Sequence, residues 1–128
     1  MSDFQAIGSA LYTALGGTAS NAHYGVDTQG ADYPCIVFER STGVDDYAFG
    51  TADYGIDTEY VIKAVSNRQW PSEAYGIYNA AHTLVQNKAL TVTGYTALRC
   101  QRRLTLEYRD PDGYWHVGGV YRVEVWKT

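Results

Sequence analysis

The chain has 128 residues, of which 45% are hydrophobic and 19% charged, a composition typical of one ordinary globular domain. Its formal net charge of −4 argues against a protein whose main role is to bind nucleic acid. No run approaches the roughly 18 apolar residues that a membrane span needs, and Met1-Ser2-Asp3 lacks the basic segment that opens a secretion signal.

The charges divide unevenly along the chain. Residues 1–59 carry nine acids and one base, whereas residues 60–128 carry five acids and nine bases, so the two parts stand at −8 and +4. A subunit with an acidic patch and a separate basic patch attracts its own copies head to tail. Contacts of that heterologous kind close into rings when the rotation permits. The charge pattern therefore predicts self-assembly.

An amphipathic helix is predicted at the start of the chain. Apolar residues from Phe4 to Leu15 recur at the spacing that places side chains on one face of a helix. The helix should cover about residues 3–15, and the small and polar residues 16–22 should form a loop.

Three strands are predicted next. His23–Val26 is a short candidate, Tyr33–Glu39 is a stronger β-branched run, and Ile56–Ser66 is a long one. Residues 41–55 are rich in glycine and aspartate and carry three aromatic residues, which predicts an exposed hairpin arm or a mobile loop rather than core.

The clearest helix signal follows these strands. Pro71 suits the first turn of a helix, and Glu73 favours the positive end of the helix dipole. Apolar residues from Ala74 to Val85 then trace one stripe, which predicts a second amphipathic helix that ends at about residue 87.

A long β-hairpin is predicted for the last third of the chain. Its turn is Asp110–Gly113, where proline presets φ and glycine accepts a left-handed conformation. If Arg109 pairs with Tyr114, Cys100 lies opposite Val123 and the apolar faces match. The same register pairs Leu98 with Val125, Leu106 with Val117, Tyr108 with Trp115, Arg99 with Glu124 and Glu107 with His116.

Two features disturb this register. Arg102 falls on the apolar face opposite Tyr121, and Gly118-Gly119 weakens the middle of the returning strand. A bulge or a sharp coil at the two glycines would explain both.

These elements predict an α+β domain. The order is α-β-β-β-α-β-β, with an antiparallel β-sheet that carries both α-helices on one face and ends in the long C-terminal hairpin. One domain is expected over residues 1–128, with the extended arm or loop at 41–55.

The sequence contains little that predicts a chemical site. Cys35 and Cys100 lie in apolar strand-like runs, which indicates reduced core residues rather than a disulfide or a metal pair. The three histidines lack metal-ligand spacing, the acids between residues 45 and 57 lack the spacing of a calcium loop, and no motif pairs a nucleophile with a base. The arginines at 99–109 favour ion pairing, with contact to phosphate as the alternative.

The order and spacing of these features resemble the tail-completion or tail-terminator family of long-tailed bacteriophages and related gene-transfer particles. The resemblance covers nearly the whole chain. It rests on the leading helix, the Tyr33–Phe38 strand and its acidic loop, the long strand ending near Trp70, the second helix, and the hairpin with Arg109–Gly113 followed by Val120–Val123. The tyrosine- and glycine-rich loop at 41–55 departs from the typical pattern.

The resemblance implies a structural protein that assembles as a ring, commonly a hexamer. The ring would cap the tail tube, end its polymerisation and meet the head-tail connector or head-completion protein. It would be assembled in the host cytoplasm and lie at the neck-proximal end of the virion tail. The implied partners are further copies of the chain, the tail tube protein and the connector, with DNA only passing through the channel. No catalysis, cofactor, metal or membrane is implied.

Three alternatives stay open. The chain could be a head-side neck or adaptor protein of the same particle, a small enzyme or ligand-binding domain, or a nucleic-acid binder that uses the arginine-bearing hairpin. A deep pocket with convergent polar groups would favour the second, and DNA binding with a steep salt dependence would favour the third.

Self-assembly predicts which residues meet. We expect acids from the 45–59 region of one copy to face bases from the 99–109 region of its neighbour, while buried apolar contacts supply most of the affinity. The predicted interface residues are Asp45, Asp46, Tyr47, Phe49, Asp53, Tyr54, Asp57, Arg99, Arg102, Arg103 and Arg109.

Overall fold

The computed structural model describes residues 3–15, 21–24, 34–47, 53–88, 90–92 and 94–127. Within them the chain forms two helices and five strands in the order α-β-β-β-α-β-β, which confirms the predicted α+β class. The elements are α1 (Asp3–Leu15), β1 (Asn21–Tyr24), β2 (Cys35–Tyr47), β3 (Asp53–Ser66), α2 (Ser72–Val85), β4 (Tyr95–Arg109) and β5 (Trp115–Lys127).

The five strands form one sheet in the order β1-β2-β3-β5-β4. The pairs β2–β3, β3–β5 and β4–β5 are antiparallel, as predicted, and the short edge pair β1–β2 runs parallel. Because β5 returns to lie between β3 and β4, the long C-terminal hairpin supplies both the centre and one edge of the sheet.

Both helices pack on one face of the sheet, as predicted. Side chains of a strand alternate between its two faces, so every second residue of β3 and β5 points to the helices. Tyr60 and Ile62 of β3 and Tyr121 and Val123 of β5 are fully buried there. The helices add Ala6, Ile7, Ala10, Leu11 and Leu15 from α1 and Ala74, Tyr78, Ala81 and Val85 from α2.

A second, small apolar cluster lies on the opposite face of the sheet. Cys35, Val37 and Val65 are buried there, and Tyr114 packs against them. Both cysteines are buried and free, which confirms the prediction of reduced core residues. Burial raises the pKa of Cys35 to about 11 and that of Cys100 to about 12, so both thiols stay protonated at neutral pH.

Strands β2 and β3 extend into residues 41–55, for which the sequence predicts an arm or a loop. Asp45 pairs with Ile56 and Tyr47 with Asp53, so the two strands continue as an antiparallel ladder beyond the core. Residues 48–52, which connect them, lie outside the described residues.

The predicted register of the final hairpin holds only in its middle. Cys100 lies opposite Val123, Arg99 opposite Glu124, and Arg102 opposite Tyr121. Towards the turn the prediction is wrong by one residue. There Leu106 pairs with Gly118, Glu107 with Val117, Tyr108 with His116 and Arg109 with Trp115. Beyond Arg99 a second shift places Ala97, not Leu98, opposite Val125.

The physical reason near the turn is a register shift on β4, between Arg102 and Leu104. Arg103 is the additional residue, and a bulge of this kind displaces all later pairs by one. A bulge was expected at Gly118-Gly119, and that location is wrong, because β5 stays regular through both glycines. Gly118 instead permits a close approach to β3, since a Cβ there would overlap the carbonyl oxygen of Ile62.

Candidate functional site

The face of the sheet opposite the helices, called here the outer face, is rich in charge. It is built by the residues of β3, β4 and β5 that alternate with the core residues. Its described charged and aromatic residues are Asp57, Glu59, Lys63, Arg99, Arg103, Tyr108, His116, Arg122, Glu124 and Trp126.

Arg122 is the centre of an ion-pair network on the outer face. Its guanidinium binds both carboxylate oxygens of Asp57 on β3, with Nε at 2.8 Å from Oδ1 and 3.0 Å from Oδ2, and it also donates to Glu124 at 3.2 Å. Arg99 approaches the other oxygen of Glu124 at 3.6 Å. Two-point binding of a carboxylate by arginine fixes the angle of both side chains, so Arg122 and Asp57 hold β5 and β3 together, and the looser pair of Arg99 with Glu124 extends the network to β4.

A further ion pair crosses the sheet from the bulge on β4. The guanidinium of Arg103 lies 2.5 Å from Glu59 Oε1, and this bond spans the width of β5. The side chain of Arg103 remains 57% exposed, so solvent screening limits this pair to about 0.2–1 kcal/mol.

These contacts show where the predicted interface residues lie. Asp57, Arg99 and Arg103 are on the outer face with carboxylate or guanidinium partners in their own chain, and these ion pairs join three arginines with three acids. Any pairing of these groups with a neighbour is therefore an exchange or an extension of existing pairs. Sequence reasoning missed Arg122 and Glu59 as the intrachain partners, although both lie on strongly patterned strands.

The other predicted interface residues divide into three groups. Arg102 points to the helix side, where its NH1 donates to the Tyr78 hydroxyl at 3.3 Å. Arg109 donates to the carbonyl of Gly113 at 3.2 Å and lies over the ring of Trp115. Five further residues lie in strands β2 and β3, where only the backbone is described: Asp45, Asp46, Tyr47, Asp53 and Tyr54. Phe49 lies outside the described residues.

A polar cluster occupies the turn end of the outer face. Lys63 Nζ donates to the Tyr108 hydroxyl at 2.9 Å, and the Tyr108 ring stacks on His116 with 4.5 Å between centroids. His116 Nε2 lies 2.7 Å from Asp110 Oδ2, so it donates to that carboxylate. In the sequence, the one indication of this cluster is Asp110, the first residue of the Asp-Pro-Asp-Gly turn.

The environment of Asp110 favours its charged form. Burial raises the pKa of Asp110, but the hydrogen bonds from His116 and from the backbone N–H of Tyr114 outweigh this and lower it below the ordinary value of 3.8. The carboxylate thereby holds the turn and the start of β5 together.

A network of hydroxyl groups lies between α2 and the sheet. The hydroxyls of Tyr78 and Tyr121 are 2.5 Å apart, and His82 Nδ1 lies 2.7 Å from that of Tyr121. Burial, together with the Tyr78 hydroxyl, raises the pKa of Tyr121, and burial beside Arg102 lowers the pKa of His82. The tyrosine and the histidine are thus both held neutral, which suits a structural role in the core.

No group of three or more histidines, cysteines or acids among the described residues is placed to hold a metal ion. A cleft between α1 and the segment after α2 is lined mainly by small and aliphatic side chains and one lysine. Neither described helix is long and apolar enough to cross a bilayer.

Comparison with known proteins identifies the family. The model of the family described as tail completion protein gp17 matches residues 6–127. The chain belongs to this family. It is therefore a structural tail protein, and the resemblance seen in the sequence is confirmed.

One solved structure extends the comparison to the fold of this tail completion protein. A chain in the virion of a native gene transfer agent (GTA) particle matches with a TM-score of 0.74 and 14% sequence identity. The match covers 94% of this chain and 95% of that one, so the two share the fold throughout. No curated protein sequence matches the chain.

A tail completion protein works through contacts with other proteins, and this one exposes large apolar side chains. Trp70 is 69% exposed beside the start of α2, Tyr12 lies on the outside of α1, and Leu104, Tyr108 and Trp126 are exposed on β4 and β5. Aromatic side chains of this kind commonly anchor protein interfaces.

Proposed function

We propose that this tail completion protein assembles as a ring, most simply a hexamer, that caps the tail tube and ends its polymerisation. The ring then joins the tube to the head-side connector or head-completion protein, and DNA passes through its channel. The observation that carries the proposal is the family match over residues 6–127.

The surface of the described chain supports self-assembly. The segment 41–55 carries three acids and no base, whereas β4 carries four arginines and one glutamate. Opposite charges on separate parts of one subunit orient a head-to-tail encounter, and exposed aromatic side chains then supply contact area. We propose the interface residues named from the sequence as the groups that meet, with Arg103 and Asp57 exchanging or sharing their present partners.

Negative-stain microscopy of the purified protein tests ring formation directly. Closed rings of uniform diameter are expected, with a solution mass that is a fixed multiple of the subunit mass by light scattering. A protein that stays monomeric at high concentration, with and without tube protein, contradicts the proposal.

A tube-growth experiment tests the capping step. Tube protein polymerises alone or with a stoichiometric amount of the completion protein, and we expect shorter tubes with a ring at one end. Unchanged tube lengths together with binding to the connector protein would instead identify a head-side adaptor.

A further inference from the structure

The two edges of the sheet differ in how they are protected. On the β4 side, the loop after α2 covers one short stretch. The Asn87 N–H donates to the carbonyl of Cys100 at 2.8 Å, and the Arg102 N–H donates to Gln86 Oε1 at 2.8 Å. Among the described residues, no strand pairs with the edge of β4 from Arg103 to Arg109.

This uncovered stretch is only partly protected. It begins with a bulge and carries Arg103, Glu107 and Arg109, but the described residues place no covering strand beside it. Proteins normally guard such edges with proline, lysine or a covering element, because unpaired backbone groups recruit another strand. Residues 103–109 contain neither proline nor lysine, while Leu104 is 45% and Tyr108 is 43% exposed. The bulge at Arg103 twists the strand at the start of the stretch and leaves the rest extended.

At the opposite edge of the sheet, β1 pairs with only part of β2. β1 pairs with Cys35–Phe38, and the described residues place no strand beside residues 42–47 on that side. This stretch carries two acids, Asp45 and Asp46, and no base, a charge of −2, whereas residues 103–109 carry two arginines and one glutamate, a charge of +1.

We infer that the edge of β2 at residues 42–47 of one subunit pairs with the edge of β4 at residues 103–109 of the next. The partner is a second copy of this chain, and main-chain hydrogen bonds across the two edges continue the sheet from subunit to subunit. Because the two edges are different surfaces, the contact is heterologous and propagates until it closes. This inference rests on the proposed ring and specifies which strands make it.

Disulfide trapping between separately purified variants tests the pairing. Thr42→Cys, Val44→Cys and Asp46→Cys are each mixed with Thr105→Cys or Leu106→Cys under mild oxidation. Thr105 and Leu106 lie on opposite faces of β4, so the set samples both antiparallel and parallel pairing of the two edges. Cys35 and Cys100 are buried and protonated, so they do not compete for oxidation. At least one mixture should give cross-linked dimer at ten or more times the yield of either variant alone.

The matched control replaces the β4 variant with Thr83→Cys, which adds a cysteine at an exposed position of α2. Dimer yields with Thr83→Cys that equal the best β4 mixture would overturn the inference. Rings that form normally while every β2–β4 mixture stays uncross-linked would overturn the inference and leave the proposed function intact. Cross-linked dimers without rings would support the pairing and contradict the ring.

A substitution at the edge gives a second readout. Leu104→Asp adds a negative charge where the acidic β2 edge is expected, and Thr83→Asp adds the same charge at an exposed position of α2. We expect Leu104→Asp to raise the concentration at which half the protein is assembled by ten-fold or more, with an unchanged circular dichroism spectrum. Equal shifts in the two variants, or no shift in Leu104→Asp, would overturn the inference.

Discussion

The hydroxyl of Tyr78 on α2 lies 2.5 Å from the hydroxyl of Tyr121 on β5, in the layer between the helix and the sheet. Tyr121 is fully buried, and its hydroxyl also meets Nδ1 of His82 at 2.7 Å. The tyrosine of the central strand thus serves as the point at which helix and sheet are joined by polar contacts as well as by packing.

Tyr121→Phe should destabilise the fold without changing its shape. The substitution leaves the Tyr78 hydroxyl and the His82 ring without one partner each, and an unsatisfied buried group costs about 1–3 kcal/mol. Chemical denaturation at pH 7 should show that loss in the free energy of unfolding. Tyr12→Phe is the control, because Tyr12 is exposed, and equal effects of the two changes would contradict the role of the network.

Gly118→Ala should be among the most damaging single-methyl changes in the chain. The added Cβ would lie 2.6 Å from Lys63 Cα and overlap the Ile62 carbonyl oxygen, so β3 and β5 would have to separate. Overpacking of this kind costs about 1–3 kcal/mol.

Gly76→Ala provides the matched comparison. Nothing lies within 4 Å of a Cβ at Gly76, which is inside α2, so the change should stabilise the protein by about 0.5–1 kcal/mol. Thermal unfolding of both variants checks the pair, and a Gly118→Ala protein as stable as the parent would refute the close approach.

Asp110 should make stability depend on pH in the acidic range. Its pKa is lowered in the folded state, so its contribution is complete above the ordinary value of 3.8 and is lost as the pH falls through the folded value below that. Asp110→Asn should therefore be less stable than the parent at pH 7, with the difference shrinking below pH 3.8. Urea denaturation at pH 7 and near pH 3 checks this, and a constant difference would contradict it.

Arg103 and Glu59 allow intrachain and interchain roles to be separated. Arg103→Glu alone should lower the free energy of unfolding by about 1 kcal/mol, because it removes a partly screened ion pair and sets two carboxylates side by side. The exchange of both residues, Arg103→Glu with Glu59→Arg, should restore subunit stability. Light scattering then reports assembly, and weakened assembly in both variants would place a neighbour at Arg103.

Local patterns were enough to predict most of the fold. The apolar stripe of α2 and the Asp110–Gly113 turn each depend on residues close in sequence, so both were predicted correctly. The register of the hairpin failed because a single extra residue, Arg103, shifts every later pair. Patterning predicted the faces of β4 correctly only from Arg99 to Arg102. Beyond the bulge, Leu106 and Tyr108 lie on the face opposite Cys100, because patterning does not say which strand absorbs a bulge.

The polar contacts were harder to predict because their partners are far apart in sequence. Asp57 and Arg122 meet only because β5 lies beside β3, and nothing local to either residue indicates that neighbour. The division of charge along the chain was visible in the sequence. Its partial neutralisation within the subunit, through Glu59 and Arg103, depends on the sheet order.

The sheet order also has a kinetic consequence. Ile62 and Gly119 are neighbours on β3 and β5, yet α2 and all of β4 lie between them along the chain. Closing so long a loop is entropically costly, whereas the β4–β5 hairpin closes locally within microseconds. We expect the hairpin to form early and its docking onto β3 to limit the folding rate, as is usual for topologies rich in non-local contacts.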